Sequence, residues 1–293
     1  MVRRQPPSGD SRGSAGRVIP RWAASVVARL AEDAPRVVTR DSLQPVLADV
    51  GSRVDAEAAI RRLLRLGWLR SVSVRGAYAF VAPGVDELAD PYIDLRAWRA
   101  KDRDAVFYLA GDNAAWHLGY LDRTPQGTTV WLPADKRLPK GLRSKVTLAK
   151  TAFPTLVDER ILGPSTELLR KRRLDSLTWS SRLPAFGPEA LLVQLASRPA
   201  SFKAWVDLAG KLDQLAQDVD MGRLEKLLAR SSNAARQRAA YLLHVGSRDD
   251  ALKVLPSTLQ PIHFGSGGNA TWDPDTNVSD QIVVRLRDAN AKA

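Results

Sequence analysis

The chain has 293 residues, of which 44% are hydrophobic, with a formal net charge of +12 and no cysteine. This composition excludes a disordered chain, a disulfide-stabilised fold and a thiolate metal site. No apolar run is long enough to cross a bilayer, and the basic N-terminus lacks the apolar stretch of a secretory signal. We therefore expect a cytoplasmic protein without a membrane partner, and the length predicts two domains.

Positive charge is concentrated near the N-terminus. Residues 1–85 contain 14 arginines, no lysine and 7 acidic residues, a net charge of +7. Such a surface favours binding to a polyanion, because neutralised phosphates release their counterions. Arginine also binds phosphates and guanine edges through paired hydrogen bonds. A basic surface that only keeps the protein soluble is the alternative interpretation.

The first elements in the chain are an arm and two helices. Residues 1–19 are rich in Arg, Pro, Gly and Ser without periodicity, which predicts a flexible basic arm. A first helix is expected between Pro20 and Pro35, since proline is favoured at a helix start and just beyond a helix end. Thr39 is a candidate N-cap for a second helix, which ends at Gly51.

The third helix is the clearest element, and it has two distinct faces. Ser52 and Asp55 match a capping box at its start, and Gly67 occupies the position of a C-terminal cap. At about 100° per residue, one face is apolar and the opposite face is basic. The apolar face contains Ala56, Ala59, Ile60, Leu63 and Leu66. The opposite face contains Asp55, Glu57, Ala58, Arg61, Arg62 and Arg65.

After the third helix the pattern changes to alternation in twos, which predicts a β-hairpin. Its strands are expected over Trp68–Val74 and Ala77–Val81, with Arg75–Gly76 as the turn. A short extended segment at Val37–Val38 precedes the second helix. Three helices followed by a hairpin is the order of a winged helix-turn-helix domain, which we place at residues 20–85.

The arginines of the third helix are predicted to bind DNA. In helix-turn-helix domains this helix enters the major groove, and the short side chain of Ala58 would allow a close approach to base edges. In the alternative, Glu57 and Arg61 only form an i, i+4 ion pair on a solvated face. The predicted DNA-binding residues are Arg40, Ser52, Arg53, Asp55, Ala58, Arg61, Arg62, Arg65, Arg70 and Arg75. Those expected to contact phosphates rather than bases are Arg40, Arg65, Arg70 and Arg75.

Residues 86–104 are predicted to be a linker, followed by a larger mixed α/β domain over residues 105–293. The fold class is therefore α+β (mixed), with an N-terminal winged helix-turn-helix and a larger mixed α/β C-terminal domain. Two basic segments, Lys136–Lys150 and Arg170–Arg173, are compatible with a polyanion and equally with solvated loops. The predicted elements of the second domain are strands at residues 127–135, 144–153 and 281–288 and helices over residues 189–246.

Patterns for catalysis or metal binding are weak. The three histidines, His117, His244 and His263, lack ligand spacing. Gly265–Asn269 is not followed by the lysine and helix of a phosphate loop, and Asp273–Thr276 has the composition of a turn. We therefore expect no catalytic residue, metal or cofactor, and no enzyme. A winged helix joined to a nuclease domain is the alternative.

The stretch from Thr39 to Phe80 resembles the N-terminal winged helix of AbiEi-type antitoxin regulators. The resemblance depends on Leu66-Gly67-Trp68-Leu69 and Arg75-Gly76-Ala77-Tyr78. Phe107–Arg137 is similar to a segment of the family's second domain. Asp220–Gly246 is similar to its late helical pair.

The resemblance implies an antitoxin of a type IV, abortive-infection toxin–antitoxin system. Such a protein binds double-stranded DNA at promoter repeats and represses its own operon. It also counters a toxin of the nucleotidyltransferase type, generally without a stable complex. A repressor whose second domain binds a small ligand is a further alternative, which the residues themselves leave open.

Overall fold

The computed structural model of the protein describes residues 19–85, 90–154, 159–172 and 183–258. It has the expected mixed α+β fold, in which helices predominate over two small sheets. The chain divides into two compact units, Met1–Ala105 and Val106–Ala293. No helix in the described ranges is long and apolar enough to cross a membrane.

The first two helices of the first unit begin where the sequence predicted. Pro20 precedes the first helix, as predicted. Thr39 Oγ1 accepts a hydrogen bond of 3.1 Å from the Ser42 amide at the start of the second helix, so the predicted N-cap is confirmed. The described helices of this unit are α1 (Arg21–Asp33), α2 (Arg40–Asp49), α3 (Ala56–Leu66) and α4 (Ile93–Lys101).

The sheet of the first unit has three strands rather than the two of the predicted hairpin. They are β1 (Val37–Thr39), β2 (Leu69–Ser71) and β3 (Ala77–Phe80), all antiparallel in the order β1-β3-β2. Val38 pairs with Tyr78, so the short extended segment before α2 covers the outer edge of the hairpin. The first hairpin strand is shorter than predicted, because residues 72–76 form the turn.

The core of the first unit lies between α1, α2, α3 and one face of this sheet. It is formed by aliphatic side chains together with one aromatic ring. Its largest contributions come from Val26, Leu30, Leu43, Leu47, Ile60, Leu63, Leu69 and Phe80.

The predicted linker, residues 86–104, contains helix α4, and this prediction is corrected. Helix α4 packs against β1 and β3 of the first unit. Leu95 and Trp98 are buried by this packing. A linker would leave both side chains in water, so their burial explains why the segment folds onto the sheet.

Salt bridges of Asp90 hold the start of this segment against the rest of the first unit. Its carboxylate forms a salt bridge of 2.7 Å with Arg36 and another with Arg96. Burial of the carboxyl opposes its ionisation. Hydrogen bonds from Arg36 and the Tyr92 amide, and the charge of Arg96, outweigh this and lower the pKa of Asp90.

The second unit contains a small mixed sheet. Its strands are β4 (Tyr108–Leu109), β5 (Thr128–Trp131) and β6 (Val146–Leu148), in the order β4-β5-β6. Strands β4 and β5 are antiparallel, whereas β5 and β6 are parallel. The strands predicted at residues 127–135 and 144–153 are therefore confirmed, although each is shorter.

Helices make up most of the second unit, as the sequence predicted for residues 189–246. The described α-helices are α5 (Gly111–His117), α6 (Thr166–Lys171), α7 (Pro188–Ser197), α8 (Trp205–Ala209), α9 (Leu212–Asp218), α10 (Met221–Leu228) and α11 (Asn233–Val245). Short 3₁₀ turns lie at Lys140–Leu142, Glu159–Leu162, Pro199–Ser201 and Ala251–Val254.

Helix α7 is the centre of the second unit. All its residues from Pro188 to Ala196 are buried, and it contacts α5, α10 and α11. Its two buried polar side chains cap neighbouring elements. Gln194 Oε1 accepts a hydrogen bond of 2.8 Å from the Gly111 amide, and Glu189 Oε1 accepts one of 3.0 Å from the Asp220 amide. Burial raises the pKa of Glu189.

Several sequence predictions lie outside the described residues. These are the final strand at 281–288, the segments Gly265–Asn269 and Asp273–Thr276, His263, and nearly all of the basic arm over residues 1–19.

Candidate nucleic-acid interface

The start of α3 is fixed by Asp55. Its Oδ2 accepts hydrogen bonds from the amides of Glu57 (2.9 Å) and Ala58 (3.2 Å). The bond from Ala58 is the largest influence that lowers the pKa of the Asp55 carboxyl. Ser52 Oγ instead accepts a bond of 3.3 Å from the Val54 amide, within the preceding turn. The predicted capping box from Ser52 is therefore wrong, because the helix begins only after Asp55.

The two predicted faces of α3 are confirmed. The helix ends at Gly67, whose left-handed conformation (φ 79°) an L-residue adopts only with strain. The five residues of the apolar face, which are all buried, are Ala56, Ala59, Ile60, Leu63 and Leu66. The residues of the opposite face, which are exposed or half-buried, are Asp55, Glu57, Ala58, Arg61, Arg62 and Arg65.

Glu57 pairs with a different arginine from the one expected. Its carboxylate forms a salt bridge of 3.1 Å with Arg40 at the start of α2, and both side chains are more than half exposed. The i, i+4 pair between Glu57 and Arg61, which belonged to the alternative interpretation, is not formed. Among the described residues, Arg61, Arg62 and Arg65 form no salt bridge, and neither does Arg53 in the loop before α3.

The hairpin adds positive charge beside α3. Arg70 on β2 and Arg75 in the turn are both exposed. Gly76 follows in the left-handed region (φ 80°), and a Cβ built there would lie 3.7 Å from Lys101 Cε. Lys101 therefore extends from the end of α4 over the hairpin turn.

Sequence reasoning missed Lys101, because the segment around it was predicted to be a linker. The apolar spacing of Leu95 and Trp98 was the signal that could have revealed a helix there. A helix that ends at residue 101 brings its last lysine to the hairpin turn. Lys101 thus adds a cation to the seven arginines among the predicted site residues.

Charged groups of the second unit are partly buried. The Asp218 carboxylate, 4% exposed, accepts a hydrogen bond of 2.9 Å from the Tyr120 hydroxyl and forms a salt bridge with Arg172. Burial, together with the charge of Asp218, raises the pKa of Tyr120 well above its usual value. The basic run Arg170–Arg173 is therefore not simply a solvated loop, since Arg172 joins α6 to α9; Arg173 lies outside the described residues.

The histidines do not converge in the described part of the chain. His117 is buried in α5, with Nδ1 2.9 Å from the Asn113 carbonyl oxygen, and His244 is exposed on α11. In the same described ranges, no group of three or more His, Cys, Asp or Glu side chains could hold a metal ion.

Comparison with known proteins identifies the second unit. Residues 105–245 match the family model of the AbiEi antitoxin C-terminal domain. The chain belongs to the AbiEi antitoxin family. AbiEi proteins are antitoxins, so the chain has a role in a toxin–antitoxin system, and a toxin partner is implied.

One solved structure is similar over almost the whole length of this AbiEi protein. The crystal structure of the RV2827C protein from Mycobacterium tuberculosis is 42% identical in sequence and superposes with a TM-score of 0.76. The match covers 92% of this chain and 96% of that chain. No curated protein matches the chain significantly.

The geometry divides the ten predicted site residues of the AbiEi chain into two groups. Two side chains are engaged in backbone hydrogen bonds, namely those of Ser52 and Asp55. The others lie on the exposed part of α3 or beside it: Arg40, Arg53, Ala58, Arg61, Arg62, Arg65, Arg70 and Arg75. Arg40 already forms a salt bridge with an acidic side chain, whereas the arginines of α3 form none within the described ranges.

Proposed function

We propose that the first unit is a winged helix-turn-helix domain that binds double-stranded DNA, and that the chain represses its own operon. The observation that supports this proposal is the surface of α3, from which three arginines project without forming a salt bridge among the described residues. Because the apolar face of α3 packs in the core of the first unit, the opposite face is the one available to a ligand. Its charge suits a phosphate-lined groove.

The order of elements supports this function. Helices α1, α2 and α3 are followed by the hairpin β2–β3, and β1 completes the sheet. In winged helix-turn-helix proteins the third helix enters the major groove. The hairpin forms the wing, which reaches an adjacent groove or phosphate.

The residues of α3 differ in their expected contacts. Arg61 and Arg62 lie near its middle, next to the small side chain of Ala58, so we assign them to base edges. Arg65, in the last turn, and Arg75, in the hairpin turn, are assigned to phosphates. We assign Asp55 to positioning the helix, because its carboxylate accepts the Glu57 and Ala58 amides of the first turn.

The proposed repressor is tested by substitution of single arginines. Binding of the full chain to its own promoter and to random duplex is measured by fluorescence anisotropy at several salt concentrations. Arg61→Ala or Arg62→Ala is expected to cost about 1–3 kcal/mol on the promoter and much less on random duplex. Arg65→Ala is expected to weaken both equally. Equal losses on both duplexes for Arg61→Ala and Arg62→Ala would contradict base readout.

We propose further that the second unit counters a toxin of the nucleotidyltransferase type. The match of residues 105–245 to an antitoxin domain supports this role. The test is co-expression with the toxin gene expected next to this one. Growth arrest by that toxin should be relieved by the full chain. Persistent arrest would contradict the antitoxin role, whereas DNA binding could still hold.

A further inference from the structure

A basic groove in the second unit has no role in the interactions described so far. It forms where the end of β5 faces β6, and its cavity has a volume of about 250 Å³. The residues that line this basic groove are Leu132, Lys136, Arg137, Leu138, Arg143, Val146 and Leu148. It thus combines an apolar floor with three cationic side chains.

The charge of the basic groove has little acidic compensation among the described residues. Asp135 lies 4.0 Å from Lys136, at the limit of a salt bridge. In the described parts of the chain, Arg137 and Arg143 form no salt bridge. The groove therefore favours an occupant that carries negative charge.

The apolar floor distinguishes this groove from a phosphate-binding surface. Leu148 is 45% exposed and is one of three large hydrophobic side chains that are exposed among the described residues. Phosphate groups would gain nothing from Leu132, Leu138 and Leu148. An apolar cavity of roughly 150 Å³ holds a benzene ring, so this larger one can receive a bulky apolar side chain.

Strand β6 supplies a backbone contribution. It is the edge of its sheet within the described residues. The Ala149 amide donates a hydrogen bond of 2.8 Å to the Val130 carbonyl on β5. Because successive amides of a strand point to opposite sides, the amide of Leu148 points away from β5. An extended segment could pair with this edge beside the basic groove.

We propose that the basic groove docks an extended segment of the toxin in which acidic and bulky apolar side chains alternate. The proposal rests on the antitoxin function proposed above. Acidic side chains of the segment lie against Arg137 and Arg143, and an apolar side chain enters the cavity over Leu148. A contact of this size is small and suits transient docking rather than a stable complex.

The first test uses the full chain and a labelled ten-residue peptide of alternating glutamate and leucine. A decaglutamate peptide and a random DNA duplex serve as comparison ligands. The alternating peptide should bind more tightly than decaglutamate, although decaglutamate carries more charge. Leu148→Asp and Arg143→Glu should each weaken its binding about tenfold. The matched controls Val245→Asp, at another exposed aliphatic residue, and Lys226→Glu, at another exposed cation, should change it less than about twofold.

Two results would overturn the docking proposal. Tighter binding of decaglutamate than of the alternating peptide would identify a simple polyanion surface. Loss of duplex binding by Arg143→Glu, with no binding of the alternating peptide by the parent protein, would identify a DNA contact. Circular dichroism melting of each variant distinguishes these results from a loss of folding.

The second test separates this proposal from the antitoxin role. Relief of toxin-induced growth arrest is measured for the parent chain, for Leu148→Asp and Arg143→Glu, and for both controls. Relief by the parent chain and the controls, with loss in the two groove variants, supports docking on the toxin. Equal relief by all five proteins overturns docking and leaves the antitoxin role intact. If the parent chain does not relieve growth arrest, the antitoxin role is overturned. The toxin is then also overturned as the occupant of the groove, even if the alternating peptide binds.

Discussion

Asp94 on α4 accepts two hydrogen bonds from Ser73 in the hairpin turn, one from its amide (2.7 Å) and one from its hydroxyl (3.0 Å). One carboxylate therefore orders the loop that leads to Arg75. Since a ligand-binding loop loses affinity when it must first be ordered, Asp94 contributes to the proposed DNA interface by ordering this turn.

Replacement of Asp94 by alanine is expected to weaken promoter binding. The two bonds to Ser73 are lost, and reordering the turn should cost about 1 kcal/mol, roughly fivefold in the dissociation constant. The control is Asp104→Ala, which removes one negative charge from the same segment at an exposed residue. The loss of one negative charge alone should make both variants bind the promoter slightly more tightly. Equal increases in affinity in an anisotropy titration would therefore contradict a role of Asp94 in ordering the turn.

Lys101 is expected to contact a phosphate through its position over the hairpin turn. Lys101→Ala should reduce the slope of log affinity against log salt concentration by about one and weaken binding equally on promoter and random duplexes. The control is Arg29→Ala, because Arg29 lies within 4.0 Å of three acidic side chains and has little free charge to offer DNA. A salt slope that stays unchanged for Lys101→Ala would show that this lysine does not reach the duplex.

The local features of α3 could be predicted from the sequence, because they depend on neighbours within one or two turns. Its buried face follows from helical periodicity, and Gly67 ends it through a conformation that suits glycine. Ser52 was misassigned because both it and Asp55 can cap, and only the fold selects one of them. The pairing of Glu57 with Arg40 depends on how α2 crosses α3, which spacing along one helix does not reveal.

Features that depend on distant residues could not be predicted. Trp98 is buried only because α4 folds back onto β1 and β3, so composition alone made its segment resemble a linker. Arg172 was read within a basic run, whereas its partner Asp218 lies in another helix far along the chain. The basic groove likewise requires the parallel pairing of β5 with β6, and sequence alternation indicates strands but not their neighbours.

Asp90 is expected to make the first unit sensitive to acid. Its pKa is lowered in the folded state, so its contribution is fully present above the unfolded value of about 3.9 and is lost as the pH falls through the lower folded value. Asp90→Asn removes the negative charge with which both Arg36 and Arg96 form salt bridges. It should lower the free energy of unfolding at pH 7 by about 2 kcal/mol. The difference from the parent protein should shrink as the pH approaches 3.

Asp33→Asn is the control for this pH dependence. Asp33 is 48% exposed and lies 3.7 Å from Arg29, so its removal should change the free energy of unfolding by less than about 1 kcal/mol. Urea titrations of both variants at pH 3, 5 and 7 provide the measurement. A destabilisation by Asp90→Asn that is the same at all three pH values would mean that ionisation of this carboxyl does not stabilise the fold.

Gly246 permits the close approach of α9 and α11 in the second unit. A Cβ at this residue would lie 2.7 Å from the Leu212 carbonyl oxygen and would also overlap the Ala216 side chain. The backbone there has φ −77°, which any residue adopts, so the requirement for glycine is one of space. Gly246→Ala should therefore lower the free energy of unfolding by about 1–3 kcal/mol through overpacking.

The matched control is Gly127→Ala, since a Cβ at that residue meets no atom within 4 Å. This substitution should leave stability unchanged or raise it slightly, because alanine reduces the freedom of the unfolded chain. Thermal unfolding of the two variants measures the contrast. If the second unit carries the antitoxin activity, Gly246→Ala should also lose relief of toxin-induced arrest at high growth temperature, while Gly127→Ala retains it. Equal melting temperatures for both variants would show that α9 and α11 can separate at little cost.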